Sequence, residues 1–238
     1  PNVVLLHLST PDEHGYCSFG VSCDYTKPAA ECADLLIAQI NPKMPRTMGD
    51  SFIHVSKLDY IVEQETDLIE LAPPHIGDVE RAIGENIASL VKDGDCLQLV
   101  EAGVITNAKK NIHKGKSVAT FLMGTRRLYD YVDNNPEVAM MPVDYVNDPR
   151  VICQNDNLVS INSCVQVDLM GQVASESIGP KQISGVGGQV DFVRGASASK
   201  GGVSIMAMPS TVKGKISKIV PLLDEGAAVT TSRNDVDL

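Results

Sequence analysis

The 238-residue sequence contains no tryptophan, and only 4% of its residues are aromatic. With 43% hydrophobic residues it can still bury a core, built from Val, Ile, Leu, Met and Ala. No apolar run is long enough to span a bilayer, and the first residues lack the basic start of a signal peptide. We therefore expect a cytoplasmic protein with no membrane partner. The initial Pro1, where Met would begin a gene product, indicates an excerpt of a longer chain.

Paired metal-ligand spacings are also missing. The six cysteines form no C-x-x-C pair and the five histidines form no H-E-x-x-H motif, so we expect no metal site. Most of the cysteines lie beside apolar residues, which is typical of buried thiols in a reducing compartment. They are Cys17, Cys23, Cys32, Cys96, Cys153 and Cys164.

The charge is unevenly distributed. A formal charge of -10 should repel nucleic acid and anionic membranes, so we expect neither as a partner. Residues 193–223 nevertheless contain no Asp or Glu, and this segment favours a pocket or rim for a small polyanionic ligand such as a phosphate ester. The alternative is that its cations are merely solvated: Arg194, Lys200, Lys213, Lys215 and Lys218.

Alternating strand and helix patterns predict an α/β fold. Helical spacing predicts helices over residues 27–40, 79–92 (with Asp78 as N-cap) and 125–132, whereas the Asp-, Asn- and Pro-rich residues 130–157 predict loops. Pro73 and Pro74 are typical of a boundary between two α/β units. Short apolar runs predict strands at 3–8, 55–62, 67–71, 96–100, 117–123, 158–161, 165–169 and 203–208.

Residues 184–192 form the most informative local pattern. Gly185, Gly187 and Gly188 let the backbone bring its N–H groups against an anion or a developing oxyanion. The alternative is an ordinary tight turn, since the spacing matches neither a Walker loop nor a dinucleotide fingerprint. Asp191 lies beside the turn and could act as an acid or base, although we favour a capping or bracing role for it.

Long motifs carry a resemblance to a known family. Residues 184–192, Asn162 with 167–173, and the closing 226–235 closely resemble the acetyl-CoA hydrolase/transferase family. Further matching stretches are 45–51, 121–125 and 129–136. The resemblance implies tandem CoA-transferase-type α/β domains, here partial, with the active site in the cleft between them and a homodimer or larger assembly. Residues 1–77 would be the latter part of the N-terminal domain and residues 78–238 the C-terminal domain.

The resemblance also implies a reaction. CoA would move between a short-chain acyl-CoA (4-hydroxybutyryl-, butyryl- or acetyl-CoA) and a carboxylate such as acetate, through a glutamyl-CoA thioester and without a cofactor beyond CoA. The backbone N–H of Gly188 would stabilise the oxyanion, and Gly187, Gly188, Gln189, Asn162 and Met208 would contact CoA. Asn162 and Met208 could equally be ordinary strand residues. A hydrolase that uses water as acceptor stays an alternative.

One family segment is missing from the sequence. In the family, the strand that corresponds to residues 96–99 leads into a glycine-rich turn, a helix and the segment with the nucleophilic glutamate. Here Leu99 is followed directly by Val100, and Glu101 belongs to a later segment, so we do not assign it as nucleophile. Either the segment is deleted, which would leave a non-catalytic CoA-binding fragment, or a loop is missing from the chain as given. We favour the missing loop, which predicts Cα atoms at Leu99 and Val100 farther apart than about 3.8 Å.

Overall fold

The computed structural model describes residues 1–90 and 105–235, which pack as two compact units. The first unit contains residues 1–74, 105–109 and 113–146, and the second contains residues 75–90, 110–112 and 147–235. Both units combine helices with strands, which confirms the predicted α/β class. Residues 113–146 pack with the N-terminal residues, so these units divide the chain differently from the predicted boundary after residue 77. That boundary stays a prediction about the domains of the parent protein.

The described helices and strands are short, and none of the helices is long and apolar enough to cross a membrane. The helices are α1 (Thr26–Glu31), α2 (Asp78–Leu90), α3 (Arg126–Val132), α4 (Val143–Val146), α5 (Pro149–Ile152) and α6 (Gln189–Ala198), with a 3₁₀ turn at Val55–Lys57. The strands of the first unit are β1 (Val3–Leu8), β2 (Tyr16–Ser18), β3 (Leu35–Ile40), β4 (Met48–Gly49), β5 (Phe52–His54), β6 (Tyr60–Glu63), β7 (Ser117–Ala119) and β8 (Val138–Met140). The strands of the second unit are β9 (Val159–Asn162), β10 (Gln166–Asp168), β11 (Val173–Ala174), β12 (Ser177–Ile178), β13 (Lys181–Gln182), β14 (Val203–Met206), β15 (Thr211–Val212), β16 (Ile216–Ser217) and β17 (Ile219–Val220).

A parallel sheet of order β1-β3-β6 forms the core of the first unit. Alternate residues of β1 and β3 point to the same face, where Leu6, Leu8, Leu36 and Ala38 are buried. A second parallel sheet has the order β4-β8-β7, and Met140 of β8 packs into the same core. The predicted strand over residues 3–8 is therefore confirmed.

The predicted helix over residues 27–40 is wrong in its second half. Helix α1 ends at Glu31, and residues 35–40 form β3, the central strand between β1 and β6. A central parallel strand is covered on both faces and therefore reads as a nearly continuous apolar run. Such a run also contains apolar residues at helical spacing, so the pattern alone did not distinguish the two structures.

Three other predicted elements also differ from the structure. The predicted strand over residues 55–62 is a 3₁₀ turn followed by β6, because the side chain of His54 accepts a hydrogen bond from the Ser56 amide and caps the turn. Residues 67–71 form no strand, since their contacts are to a loop and a side chain: the Leu71 amide donates to the Gly124 carbonyl, and the Tyr129 hydroxyl donates to the Ile69 carbonyl. The predicted loops over 130–157 contain β8, α4 and α5.

The second unit is built around α6. This helix packs on the parallel pair β9 and β14, and its buried Val193 joins Cys164 and Val173 in a small core. Strand β10 pairs with β11 on one side and β17 on the other. The predicted strands at 158–161 and 165–169 are confirmed as β9 and β10, and the first four residues of the strand predicted at 203–208 form β14. The predicted helices at 79–92 and 125–132 appear as α2 and α3, although Asp78 is the first residue of α2 and not its cap.

The prediction that the cysteines are buried is only partly confirmed. Cys17, Cys23 and Cys164 are buried, and burial raises the pKa of the Cys17 thiol to about 11 and that of Cys23 to about 12. These thiols stay protonated near neutral pH and are inert. Cys32 is exposed and Cys153 is half-buried, contrary to the expectation. The predictions for Cys96, for the strand at 96–100 and for the Leu99–Val100 junction lie outside the described residues.

Candidate active site

The glycine turn leads directly into the first residue of α6. The antiparallel hairpin of β12 and β13 precedes it, and the Ile183 and Ser184 amides donate to the Glu176 carbonyl. Gly187 has a φ of +62°, a conformation that favours glycine, and Gly188 is the N-cap of α6. The sequence therefore predicted the turn, and the structure adds that it forms the N-terminus of a ten-residue helix.

The turn is open to solvent. Residues 184–187 are exposed, and a Cβ added at Gly185 or Gly187 would meet no atom within 4 Å. Within residues 1–90 and 105–235, the N–H groups of Gly187 and Gly188 have no hydrogen-bond acceptor. Free amides at a helix N-terminus, where the helix dipole is positive, attract negative charge. The arrangement can therefore bind an anion or stabilise a developing oxyanion.

Helix α6 is fixed close to the turn by residues from the end of the chain. The Gln189 side-chain amide donates to the Thr231 hydroxyl at 2.6 Å, and both residues are buried. Thr231 in turn exchanges backbone hydrogen bonds with Val173, which lies in the core under the helix. The first turn of α6 is thus attached to the interior of the second unit.

A second set of contacts reaches the turn from the segment before α5. The Asn147 Nδ2 atom lies 2.5 Å from the position that a Cβ of Gly188 would occupy. The same nitrogen donates to the Asp191 carboxylate at 3.4 Å. Asp191 lies in the first turn of α6, as expected of a bracing residue. The local sequence gives no signal for Asn147, because its partner Asp191 lies 44 residues further along the chain.

The other predicted CoA contacts have internal partners. The Asn162 side chain, at the end of β9, donates to the Ser160 hydroxyl at 2.8 Å. Met208 is half-buried and its sulfur lies 3.1 Å from the Cys164 sulfur. These contacts fit the interpretation of Asn162 as an ordinary strand residue, whereas Met208 follows the end of β14 and packs against Cys164. Gln189 shapes the turn through Thr231. A role in CoA binding stays a prediction for Asn162, Met208 and Gln189.

The cationic segment of residues 193–223 is partly neutralised in space. The Arg194 guanidinium lies 3.2 Å from the Asp235 carboxylate, which follows the acid-free segment in the sequence. Lys218 donates to the Cys164 carbonyl at 2.7 Å. Lys213, with a φ of +53°, and Lys215 lie in the turn between β15 and β16. A polyanion-binding role therefore stays a prediction, with two of its five cations engaged in internal contacts.

Most of the chain matches a known protein family. Residues 2–73 match the family model of the acetyl-CoA hydrolase/transferase N-terminal domain, and residues 124–238 match that of the C-terminal domain. The 4-hydroxybutyrate coenzyme A transferase of Clostridium kluyveri is 62% identical, over 99% of this chain and 63% of its own length. That alignment spans 270 positions, more than the 238 residues here, so it includes positions of the relative with no counterpart in this chain.

Solved structures agree with the sequence comparison. The crystal structure of a 4-hydroxybutyrate CoA-transferase from Porphyromonas gingivalis has a TM-score of 0.86 and 43% identity, over 99% of this chain and 64% of that one. RipA from Yersinia pestis has a TM-score of 0.92 and 40% identity, over 99% and 61% of the two chains. The chain thus spans somewhat less than two thirds of the length of these relatives. It belongs to the acetyl-CoA hydrolase/transferase family.

Proposed function

We propose that the full-length protein that contains this chain transfers CoA from a short-chain acyl-CoA to a carboxylate such as acetate. The observation that carries the proposal is the exposed glycine turn, whose Gly187 and Gly188 amides have no acceptor within the described residues. Family membership and the similarity to two proteins named 4-hydroxybutyrate CoA-transferases support it. The acyl donors to test are therefore 4-hydroxybutyryl-, butyryl- and acetyl-CoA.

The proposed chemistry proceeds by covalent catalysis. A glutamate carboxylate attacks the thioester carbonyl, the CoA thiolate leaves, and an acyl-glutamyl anhydride results. The thiolate then attacks the glutamyl carbonyl, which releases the first carboxylate and leaves a glutamyl-CoA thioester. The acceptor carboxylate reverses these two steps, so the glutamate is regenerated and the acceptor leaves as its CoA thioester. The nucleophilic glutamate belongs, in this proposal, to the family segment that the sequence lacks after Leu99.

The Gly188 amide supplies the electrostatic part of this mechanism. Each attack on a carbonyl creates a tetrahedral oxyanion, and one preorganised donor at that atom lowers the barrier by about 3 to 4 kcal/mol. Gly188 is the N-cap of α6, so the helix dipole adds to the effect of its N–H group. Gly187 lies exposed beside it and is the next contact for the thioester. Any contact of Gln189 with CoA involves its backbone, since its side chain is buried against Thr231.

Three further features belong to the proposal. The reaction needs no metal or redox group, because carboxylate and thiolate are the reacting groups throughout. A reducing, cytoplasmic location is supported by the buried free thiols Cys17, Cys23 and Cys164. A homodimer or larger assembly is carried over from the family resemblance.

Borohydride trapping tests the mechanism. The full-length protein is incubated with butyryl-CoA and borohydride, which reduces a glutamyl-CoA thioester to the alcohol, and its peptides are analysed by mass spectrometry. We expect one reduced glutamate, in the segment after Leu99, and none when acyl-CoA is omitted. An active protein with every carboxylate intact would contradict the covalent mechanism.

The acceptor is tested separately. With 4-hydroxybutyryl- or butyryl-CoA as donor, CoA transfer requires that the rate of acyl-CoA consumption depends on acetate and that acetyl-CoA accumulates. A rate that is independent of acetate, with free CoA as product, would instead assign hydrolysis, an activity that the family description includes. CoA binding without turnover of any of the three donors would refute both activities.

A further inference from the structure

A second segment of the chain concentrates positive charge more densely than residues 193–223. Between Glu101 and Asp130 the sequence contains no other Asp or Glu, and four lysines fall within the eight residues 109–116. They are Lys109, Lys110, Lys114 and Lys116. The whole chain has a formal charge of -10, so the local field here has the opposite sign to that of the molecule. Such a field attracts small anions to a surface that repels them elsewhere.

Two of these lysines lie on a loop whose base is fixed. The Gly115 amide donates to the Asn107 carbonyl at 3.0 Å, so residues 107 and 115 lie side by side at the base of the loop. The Asn107 side chain donates to the hydroxyl of Ser117, the first residue of β7, at 3.1 Å. Lys109 and Lys114 lie between these anchors, and both are exposed. All five residues belong to the first unit.

The two lysines are available to a ligand. Within residues 1–90 and 105–235, neither Lys109 nor Lys114 has a carboxylate partner, and neither of their backbone amides has an acceptor. Lys27 and Lys43 of the same unit differ, because each forms ion pairs with two carboxylates. The loop therefore presents two ammonium groups and two backbone N–H groups that the described part of the chain does not use.

The turn at residues 113–116 has a backbone conformation that suits anions. His113 has a φ of +52° and Gly115 a φ of +71°, and the Lys116 amide donates to the His113 carbonyl at 3.0 Å. Turns of this kind can gather successive N–H groups into a concave anion-binding surface. A Cβ added at Gly115 would meet no atom within 4 Å, so the space around the turn is open. The His113 ring is held by the Tyr145 hydroxyl at 2.7 Å, which fixes the turn.

From these observations we infer that the loop of residues 107–116 binds the phosphate groups of a small ligand, through the ammonium groups of Lys109 and Lys114 and the Lys114 amide. Ligands with several phosphate charges fit best, because two exposed lysines act on the same anion. CoA has such groups, and so do free nucleotides. If CoA is the ligand, the inference rests on the proposed function and assigns the residues that hold its phosphates. If the ligand is separate, the loop is a second site.

Calorimetric titration of the full-length protein with inorganic pyrophosphate tests the site. We expect Lys109→Ala and Lys114→Ala each to weaken binding about 10-fold, because each removes one charge-assisted hydrogen bond. Lys57→Ala is the matched control, since Lys57 is also exposed, belongs to the same unit and has no carboxylate partner in the described part of the chain. Its affinity should equal that of the wild type. No binding by the wild type, or equal losses in Lys57→Ala and the two loop variants, would overturn the inference.

Kinetics with butyryl-CoA identify the source of the phosphate groups. If they belong to CoA, Lys109→Ala/Lys114→Ala should raise KM by about 10- to 100-fold with little change in kcat. The same variant should match the wild type with S-butyryl-pantetheine, which has no phosphate. If the ligand is separate, KM for butyryl-CoA is unchanged and saturating CoA does not displace pyrophosphate. A wild-type protein that binds pyrophosphate but transfers no CoA refutes the proposed function alone, whereas CoA transfer without pyrophosphate binding refutes only the loop site.

Discussion

The hydrogen bond between Gln189 and Thr231 offers a sharp test of how α6 is held. Thr231→Val removes the hydroxyl that accepts from the Gln189 amide at 2.6 Å and keeps nearly the same shape. The backbone hydrogen bonds between Thr231 and Val173 are unaffected. Gln189 is only 8% exposed and Thr231 only 1%, so a buried donor loses its partner. An unsatisfied buried donor costs about 1 to 3 kcal/mol.

Equilibrium urea unfolding of the full-length protein measures this loss. We expect Thr231→Val to lower the free energy of unfolding by about 1 to 3 kcal/mol with an unchanged m value. The matched control is Thr211→Val, the same change at an exposed strand residue, where the effect should stay within about 0.5 kcal/mol. Adding Gln189→Leu to Thr231→Val should recover part of the loss, because both partners are then apolar. A loss below about 0.5 kcal/mol in Thr231→Val would refute the reasoning.

Three further predictions concern stability. Burial alone would raise the pKa of Asp168, but hydrogen bonds from Gln172 and other donors outweigh burial, so the pKa lies below the usual 3.8. The stability that the ionised carboxylate contributes is therefore lost as pH falls below 3.8. Asp168→Asn should make the urea midpoint less dependent on pH in that range. Burial lowers the pKa of His7 below the usual 6.5, so protonation favours the unfolded chain. The contribution of neutral His7 to stability is complete above pH 6.5 and is lost as pH falls below that value. His7→Gln should abolish this dependence of the urea midpoint on pH. Gly49→Ala should destabilise by about 1 to 3 kcal/mol in urea unfolding, because φ is +106° and the Cβ would lie 2.4 Å from the Met140 carbonyl oxygen; an unchanged midpoint would contradict the packing.

Local sequence patterns correctly predicted an element where a short apolar segment is enough to determine its secondary structure. The apolar run of residues 3–8 ends before Pro11, and it forms β1 as expected. The run of residues 35–40 is similarly apolar but was predicted to be a helix. Its strand conformation depends on pairing with β1 and β6 on its two sides, and β6 follows it only at Tyr60. That information lies in tertiary contacts and not in the spacing of apolar residues.

The candidate site likewise combines a local feature that the sequence predicted with long-range contacts that it did not. Three glycines in four positions predicted the turn, because positive φ and close approach of the backbone are local demands. Its supports come from distant segments, since Asn147 precedes Asp191 by 44 residues and Thr231 follows Gln189 by 42. The pairing of Arg194 with Asp235 was hidden for the same reason. A segment that is free of acids in sequence need not be free of them in space.

The supports of α6 explain how a glycine-rich turn can act as a preorganised donor. Glycine loses more conformational entropy on ordering than any other residue, so three glycines in an isolated loop would be a poor scaffold for an oxyanion. Here the last of them, Gly188, caps a helix that is anchored at its start through Gln189 and along its length through buried Val193. The packing of the helix offsets the conformational entropy that the glycines lose on ordering. Because glycine has no side chain, the turn stays open while the amides at the start of the helix keep their direction. Rigidity of the support and openness of the turn are therefore two parts of one arrangement, which is what stabilisation of a short-lived oxyanion requires.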